Sequence, residues 1–306
     1  MKRACVIING KSGKGHPPGW SAFLADSFAR AGVQADIKLL ENGEKIDLLV
    51  RQALQAGTRL LIAGGGDGTI NQVAAALVGS DTELGLLPLG TLNHFAKDLG
   101  IPLELEQAIA LIGGGQSRLV DTAEVNGKLF LNNSSIGLYP DVVHEREKQQ
   151  QRLGRGKWLA FCWACMAALR RFPFLDVQLT VEGKLLARRT AFVFIGNNPY
   201  VMQGMDIGAR ERLDSGQLSL YTSRHTGRWG LLRLALSALF GRLQQAGDLD
   251  MLGTTELAIE THHRQLRVST DGEVGTLQMP LNYRIRPASL RVIAPPAKSA
   301  AGEGGG

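Results

Sequence analysis

The chain has 306 residues, 44% of them hydrophobic, with a formal net charge of +6, which leaves room for two domains and a substantial core. Three cysteines exclude a disulfide framework and point to a reducing compartment. The basic excess favours an anionic partner, and without an arginine-rich tract or zinc-finger spacing that partner is not nucleic acid.

Residues 1–10 place basic residues before only four apolar ones, which reads as a first strand over 5–8 and not as a signal peptide. A helix over 20–30, a strand over 35–40, a helix over 46–55 and a strand over 60–63 follow. Next come a glycine loop, an apolar helix, a strand over 84–87 and a helix over 105–112. Strands alternating with helices of this length predict an α/β domain over 1–120, built on a parallel sheet covered on both faces. Ligands of such sheets bind at the carboxyl ends of the strands, where the loops after residues 8, 63 and 87 converge.

After Val120 the pattern changes to strands over 129–132, 177–181, 191–195, 218–221, 255–259, 265–269 and 290–293. They predict a β-rich, sandwich-like second domain over 121–296, interrupted by helix-like segments at 157–171 and 228–243. The last strand, within 288–294, is left open between this domain and a return to the first sheet. Residues 297–306 are small, polar and glycine-rich, and are expected to be a disordered tail. Cys162 and Cys165 have redox-pair spacing but sit in an apolar, helix-like run, and are assigned to packing. That run, 158–169, falls short of the ~18 residues that a membrane span requires.

The most informative stretch follows the 60–63 strand: Gly64, Gly65, Gly66, Asp67, Gly68, Thr69, with Asn71 in the helix that begins there. Strand, glycine loop, helix brings backbone N–H groups to a phosphate, and the helix dipole adds partial positive charge. Glycine is expected because side chains would block the approach and because such loops visit φ > 0. A carboxylate at Asp67 repels an anion unless it meets a cation such as Mg²⁺ or a hydroxyl about to be phosphorylated. The spacing fits neither a dinucleotide fingerprint, whose third glycine would be Thr69, nor a P-loop, because no Gly-Lys-Ser/Thr follows. A second loop, Leu87-Pro88-Leu89-Gly90-Thr91-Leu92-Asn93-His94, repeats the logic, with Thr91 or Asn93 as a cap in its simplest reading. A third patch, Asp271-Gly272-Glu273, reads in isolation as a hairpin turn.

Together and in this order, Gly65–Thr69, the 87–93 loop and Asp271-Gly272-Glu273 resemble the diacylglycerol kinase catalytic-domain family, which includes bacterial lipid kinases and sphingosine kinases. The resemblance covers about residues 4–294. It implies an NAD-kinase-like α/β nucleotide domain and a sandwich-like second domain, with ATP and a lipid hydroxyl meeting in the cleft between. Carried over, residues 64–71 hold the ATP phosphates and ribose, Gly90, Thr91 and Asn93 complete the nucleotide site, and Asn9 lies next to the nucleotide. Asp67 and Asp121 are implied as catalytic carboxylates working with Mg²⁺, and Glu273 as the proton acceptor.

The chain departs from the family pattern at His94, where an aspartate is usual, and at Leu39, where a threonine often stands. Asn9-Gly10 replaces Asn-Pro, and Ala123 replaces a glycine. Ser215 replaces the aspartate of the ancillary metal segment, which leaves the Asp214/Ser215 Mg²⁺ site in doubt. The resemblance further implies transient contact with a membrane surface. The arginine- and tryptophan-bearing apolar stretch 224–242 and the basic-flanked run 158–169 are the candidates, each weighed equally against a core helix. Oligomeric state is open, a homodimer among the options. The rival readings are an NAD kinase-like enzyme, disfavoured by the whole-chain pattern, and a catalytically weak nucleotide-binding regulator. Intact Asp67, Asp121 and Glu273 argue against the latter.

Overall fold

A computed structural model describes residues 1–10, 12, 19–40, 46–137, 174–201, 209–210, 212–223 and 249–296. The segments 157–171, 224–243 and 297–306, with Cys162 and Cys165, lie outside the described residues, so the helix, membrane-contact and tail expectations concern them alone. The chain divides into two compact units: Met1–Asp121 with Arg212–Asp214 and Ala288–Gly306, and Thr122–Glu211 with Ser215–Pro287.

The first unit alternates β1 (Lys2–Asn9), α1 (Trp20–Arg30), β2 (Val33–Leu40), α2 (Ile46–Gln55), β3 (Leu60–Gly65), α3 (Asp67–Leu77), β4 (Glu83–Pro88), α4 (His94–Asp98) and α5 (Leu105–Gly114). β5 (Gln116–Val125) then leads into the second unit. The strand order is β2-β1-β3-β4, all parallel. The crossover from β1 runs toward one edge and the later ones toward the other. Right-handed connections therefore put α1 on one face and α2 and α3 on the opposite face, and α2 packs beside α3 while α1 packs beside α5. All six residues of β3 are buried, as a strand covered on both faces requires. The order reverses between β1 and β3, so the crevice outside their carboxyl ends is a topological switch point, the place where open α/β sheets bind ligands.

The second unit contains β6 (Lys128–Phe130), β7 (Asn133–Gly137), β8 (Leu175–Val181), β9 (Lys184–Thr190), β10 (Phe192–Asn197), β11 (Leu218–Ser223), β12 (Leu249–Thr254), β13 (Glu256–Glu260), β14 (Gln265–Thr270), β15 (Glu273–Gln278) and the start of β16 (Leu281–Ala294). One antiparallel sheet runs β12-β11-β10-β7-β14-β15; in the other, β16, β13, β8 and β9 are neighbours. Both contribute to one apolar core, Ile136, Val193, Ile195 and Val268 from the first and Val177, Leu179, Leu257 and Tyr283 from the second. This is a β-sandwich.

β16 is longer than the 290–293 strand expected. Its first part pairs with β13 antiparallel, and Val292 pairs with Leu84 of β4 in parallel. Pro287 lacks an N–H, and Ala288 takes φ 47°, so the strand is kinked where a ladder bond is missing. The Ala288 N–H is donated to Asp121 Oδ1 at 2.8 Å.

Candidate active site

In the first unit, the loops after β3 and β4 cross. Leu89 N–H donates to Gly65 O at 3.0 Å. A Cβ built on Gly90 would lie 2.5 Å from Gly66 Cα, one on Gly65 would lie 2.6 Å from Thr69 Cβ, and one on Gly64 would lie 2.8 Å from Ile8 Cγ1. These glycines are required by close approach. None of Gly64, Gly65, Gly66, Gly68 or Gly90 has positive φ, which corrects the expectation of left-handed backbone. Gly66 is extended (φ −84°, ψ −179°), precedes α3 without a side-chain cap, and leaves the first amides of the helix free of a capping side chain. Gly68 and Thr69 are in the first turn of α3, with Asn71 half-buried just beyond.

Asn9 closes the other side of the switch point. At the end of β1, its Nδ2 donates to Thr69 Oγ1 at 3.2 Å. Asp67 is half-buried, and its Oδ1 is shielded from solvent without a hydrogen-bond partner. A shielded carboxylate oxygen beside an amide cradle fits a phosphate-bound Mg²⁺, an ion usually held by one or two carboxylates plus substrate phosphates.

Asn93 takes a framework task. It sits in the left-handed region (φ 53°), and its Oδ1 accepts the Gly90 N–H at 3.0 Å while Nδ2 donates to the carbonyls of Pro88 (3.2 Å) and Gly90 (2.8 Å). Its carboxamide shapes the second loop. Thr91 and His94 are exposed.

Asp121 closes the first stretch of the first unit. It is 2% exposed, with one oxygen committed to the kink of β16 and its own N–H donated to Leu213 O at 2.7 Å. The expected Mg²⁺ pair does not fit. Asp214 Oδ1 is held by Arg212 Nε at 3.0 Å, so a guanidinium already supplies the cation. Ser215 donates both its N–H (2.8 Å) and its hydroxyl (2.6 Å) to Asn198 Oδ1. Among the described residues no group of three His, Cys, Asp or Glu could hold a metal ion.

In the second unit, Asp271 (φ 49°) and Gly272 (φ 85°) form the two-residue turn between β14 and β15, with Thr270 opposite Glu273. The hairpin reading of this patch holds. Asp271 is the anchor: its carboxylate accepts the N–H groups of Leu131 (2.7 Å), Asn132 (2.8 Å) and Asn133 (3.0 Å). Burial pushes its pKa up, while these three amides and Arg210 pull it back. The same amides explain why β6 ends at Phe130, before the expected 132: their donors go to Asp271 and not to a ladder. Glu273 is exposed, 4.0 Å from Lys128 Nζ.

Lys128, Asn132, Asn197 and Arg210 were not singled out by sequence reasoning. Each is a single polar residue with no local spacing signal. Only Asn126-Gly127, turning β5 into β6 with φ 48° and 80°, was available as a hairpin cue near Lys128.

Residues 3–125 match the diacylglycerol kinase catalytic domain, and residues 135–294 match the YegS C-terminal NAD kinase beta sandwich-like domain. The chain belongs to the family that joins a diacylglycerol kinase catalytic domain to a YegS C-terminal NAD kinase beta sandwich-like domain. The "Probable lipid kinase YegS-like" of Pseudomonas syringae pv. syringae is 37% identical over 165 residues, 52% of each chain, so the match spans about half that relative's length. The "Probable lipid kinase YegS" of Salmonella arizonae is 29% identical over 303 residues, 95% of each chain. The diacylglycerol kinase of Bacillus subtilis is 26% identical over 304 residues, 98% of each. A crystal structure of a diacylglycerol kinase from Bacillus anthracis superposes with a TM-score of 0.70 at 20% identity, covering 97% of this chain and 98% of that one, which shows a common fold. The diacylglycerol kinase catalytic-domain match holds the crossed glycine loops, and the YegS-type sandwich match holds the Asp271–Glu273 hairpin. Among the described residues no helix is long and apolar enough to cross a membrane.

Proposed function

We propose that this protein is an ATP-dependent lipid kinase that transfers the γ-phosphoryl group of ATP to a hydroxyl of a diacylglycerol-like or sphingoid lipid. The observation that carries the reading is the crossing of the two glycine loops at Gly66 and Gly90, beside the β1/β3 switch point. There, amides of residues 64–69 approach a polyphosphate, with Asn71, Gly90 and Thr91 along the nucleotide and Asn9 bracing Thr69. Phosphoryl transfer asks mainly for alignment and charge stabilisation. Bound Mg²⁺ would neutralise phosphate charge at Asp67.

Glu273 accepts the proton of the attacking hydroxyl. The lipid oxygen forms a bond to the γ-phosphorus as the bond from that phosphorus to the bridging oxygen breaks, and ADP leaves with that oxygen. Lys128 Nζ, 4.0 Å from the Glu273 carboxylate, supplies a positive charge beside it. Asp121 acts by positioning, as the acceptor that fixes the β16 kink. The lipid acceptor implies contact with a membrane surface, and the protein works as a cytoplasmic enzyme that visits it.

A radiolabelled-ATP assay across a panel of lipid alcohols, with NAD as a parallel acceptor, tests this. Product on a lipid alcohol is expected, and product only on NAD would overturn it. Glu273→Gln should lower turnover roughly 100-fold or more with ATP affinity unchanged, and Asp67→Ala should abolish transfer. Parent-like turnover in either variant would remove that residue's role.

A further inference from the structure

We infer that Arg210 is a positioning residue for Glu273, acting through a buried clamp on residues 131–133. The inference rests on the proton-acceptor assignment above and adds a residue to that site. Arg210 is 4% exposed. Its Nη1 donates to Leu131 O at 2.7 Å and Asn197 O at 3.0 Å, and its Nη2 donates to Asn132 Oδ1 at 2.6 Å. The guanidinium also lies over the Tyr200 ring, 5.6 Å from its centroid, and the Tyr200 hydroxyl accepts from Asn133 Nδ2 at 3.4 Å.

The short link 131–133, between β6 and β7, is therefore gripped by two opposite charges. Arg210 binds its oxygens, and the Asp271 carboxylate binds its three N–H groups. Asp271 N–H closes the contact by donating to Asn133 O at 2.9 Å. Asp271 is the first turn residue, and Glu273 follows two positions later, opposite Thr270. A shift of the guanidinium moves the link, the link moves the Asp271 carboxylate, and the turn delivers that movement to Glu273.

Stability alone is a poor reason for this arrangement. Burying an ion is costly, and well-packed apolar residues commonly replace buried ion pairs without loss. A planar fork with fixed donors does what an apolar side chain cannot, which is to hold two carbonyls and a carboxamide in one geometry. The electrostatics add a signature. Arg210 is one of the groups that oppose the upward push of burial on Asp271. Without the guanidinium, Asp271 takes up a proton at higher pH and holds the three amides less well.

The test uses the full chain, ATP, and mixed micelles of diacylglycerol and sphingosine, with Arg210→Lys, Arg210→Met, Asn132→Ala and Glu273→Gln assayed together. Arg210→Met and Asn132→Ala should lower kcat roughly 10- to 100-fold with KM for ATP unchanged. Arg210→Lys, which keeps the charge, should recover part of the rate, and the acid limb of the Arg210→Met pH profile should move to higher pH. Amide hydrogen exchange at residues 131–133 should quicken in each Arg210 variant, a readout that needs no acceptor lipid.

Parent-like kcat with unchanged exchange would overturn the inference, as would a loss carried by KM for ATP or an unmoved acid limb. If Arg210→Met does not fold, Asn132→Ala, which removes a single acceptor, decides. Parent-like turnover in Glu273→Gln would bring down the proton-acceptor assignment itself. An inactive Glu273→Gln beside parent-like Arg210 variants would bring down only the clamp.

Discussion

The two regions that carry the proposed chemistry are built in opposite ways. In the first unit the loops after β3 and β4 come together because a side chain is missing: Gly90, against Gly66 Cα, leaves no room for a Cβ. In the second unit the Asp271–Glu273 hairpin is held because side chains are present, a carboxylate and a guanidinium gripping one short link. A site made by absence fails when an atom is added. One made by a polar network fails when a partner is taken away, because the groups left behind are buried and unpaired.

The largest effect is expected from Gly90→Ala. The added methyl meets Gly66 Cα, so the loops must separate; about 1–3 kcal/mol of stability and at least tenfold in ATP affinity should be lost. Urea denaturation and calorimetric ATP titration would measure these. Unchanged ATP affinity would break the comparison at its first term.

Asp271→Asn comes next. One of its two oxygens becomes a donor facing backbone N–H groups, at a cost of about 1–3 kcal/mol. Turnover should fall while ATP affinity holds, the reverse of Gly90→Ala.

Asp271 also sharpens the contrast through pH. Burial raises its folded pKa above the unfolded value near 3.8, so the folded state binds the proton more tightly. That contribution is full below the unfolded pKa and is lost as pH rises through the raised one. The stability difference between parent and Asp271→Asn should therefore shrink across that window. A difference that grows with pH would mean that the three amides and Arg210 outweigh burial.

A smaller change is expected from Asn93→Ala, which removes three hydrogen bonds within the second loop. It should cost roughly 1–2 kcal/mol by thermal or urea melting and weaken ATP binding only through loop disorder. Arg212→Ala should be indistinguishable from the parent in melting temperature and in Mg²⁺ titration, because its exposed pair with Asp214 is screened by solvent. A new Mg²⁺ requirement in that variant would show that the guanidinium had been excluding an ion.

The first unit was largely legible in the sequence. The helices over 20–30 and 46–55 stand where the apolar periodicity puts them, because each buries one face against a sheet formed by its immediate chain neighbours. Strands there extend past their apolar cores, β1 from 5–8 to Lys2–Asn9, since pairing continues through polar ends. In the second unit β5, β7, β9, β12 and β15 were not foreseen. β9, Lys-Leu-Leu-Ala-Arg-Arg-Thr, is mostly exposed and charged, and is a strand because β8 pairs along its whole length. β7, Asn-Ser-Ser-Ile-Gly, has almost no apolar signal and is ordered by β10 and β14 on its two sides.

By itself the sequence determined the class of chemistry: glycines where backbone must approach backbone, an aspartate beside them, and a turn carrying a glutamate, all readable because each depends on adjacent residues. Tertiary structure alone decided which polar groups remain available. It committed Asn93 to its own loop, Asp121 to Ala288 and Ser215 to Asn198, and it set Arg210 opposite Asp271 across a link some 80 residues before one and 140 before the other. The physical reason is that a buried polar group must find a partner wherever the packed chain offers one, and distance along the sequence does not record that choice.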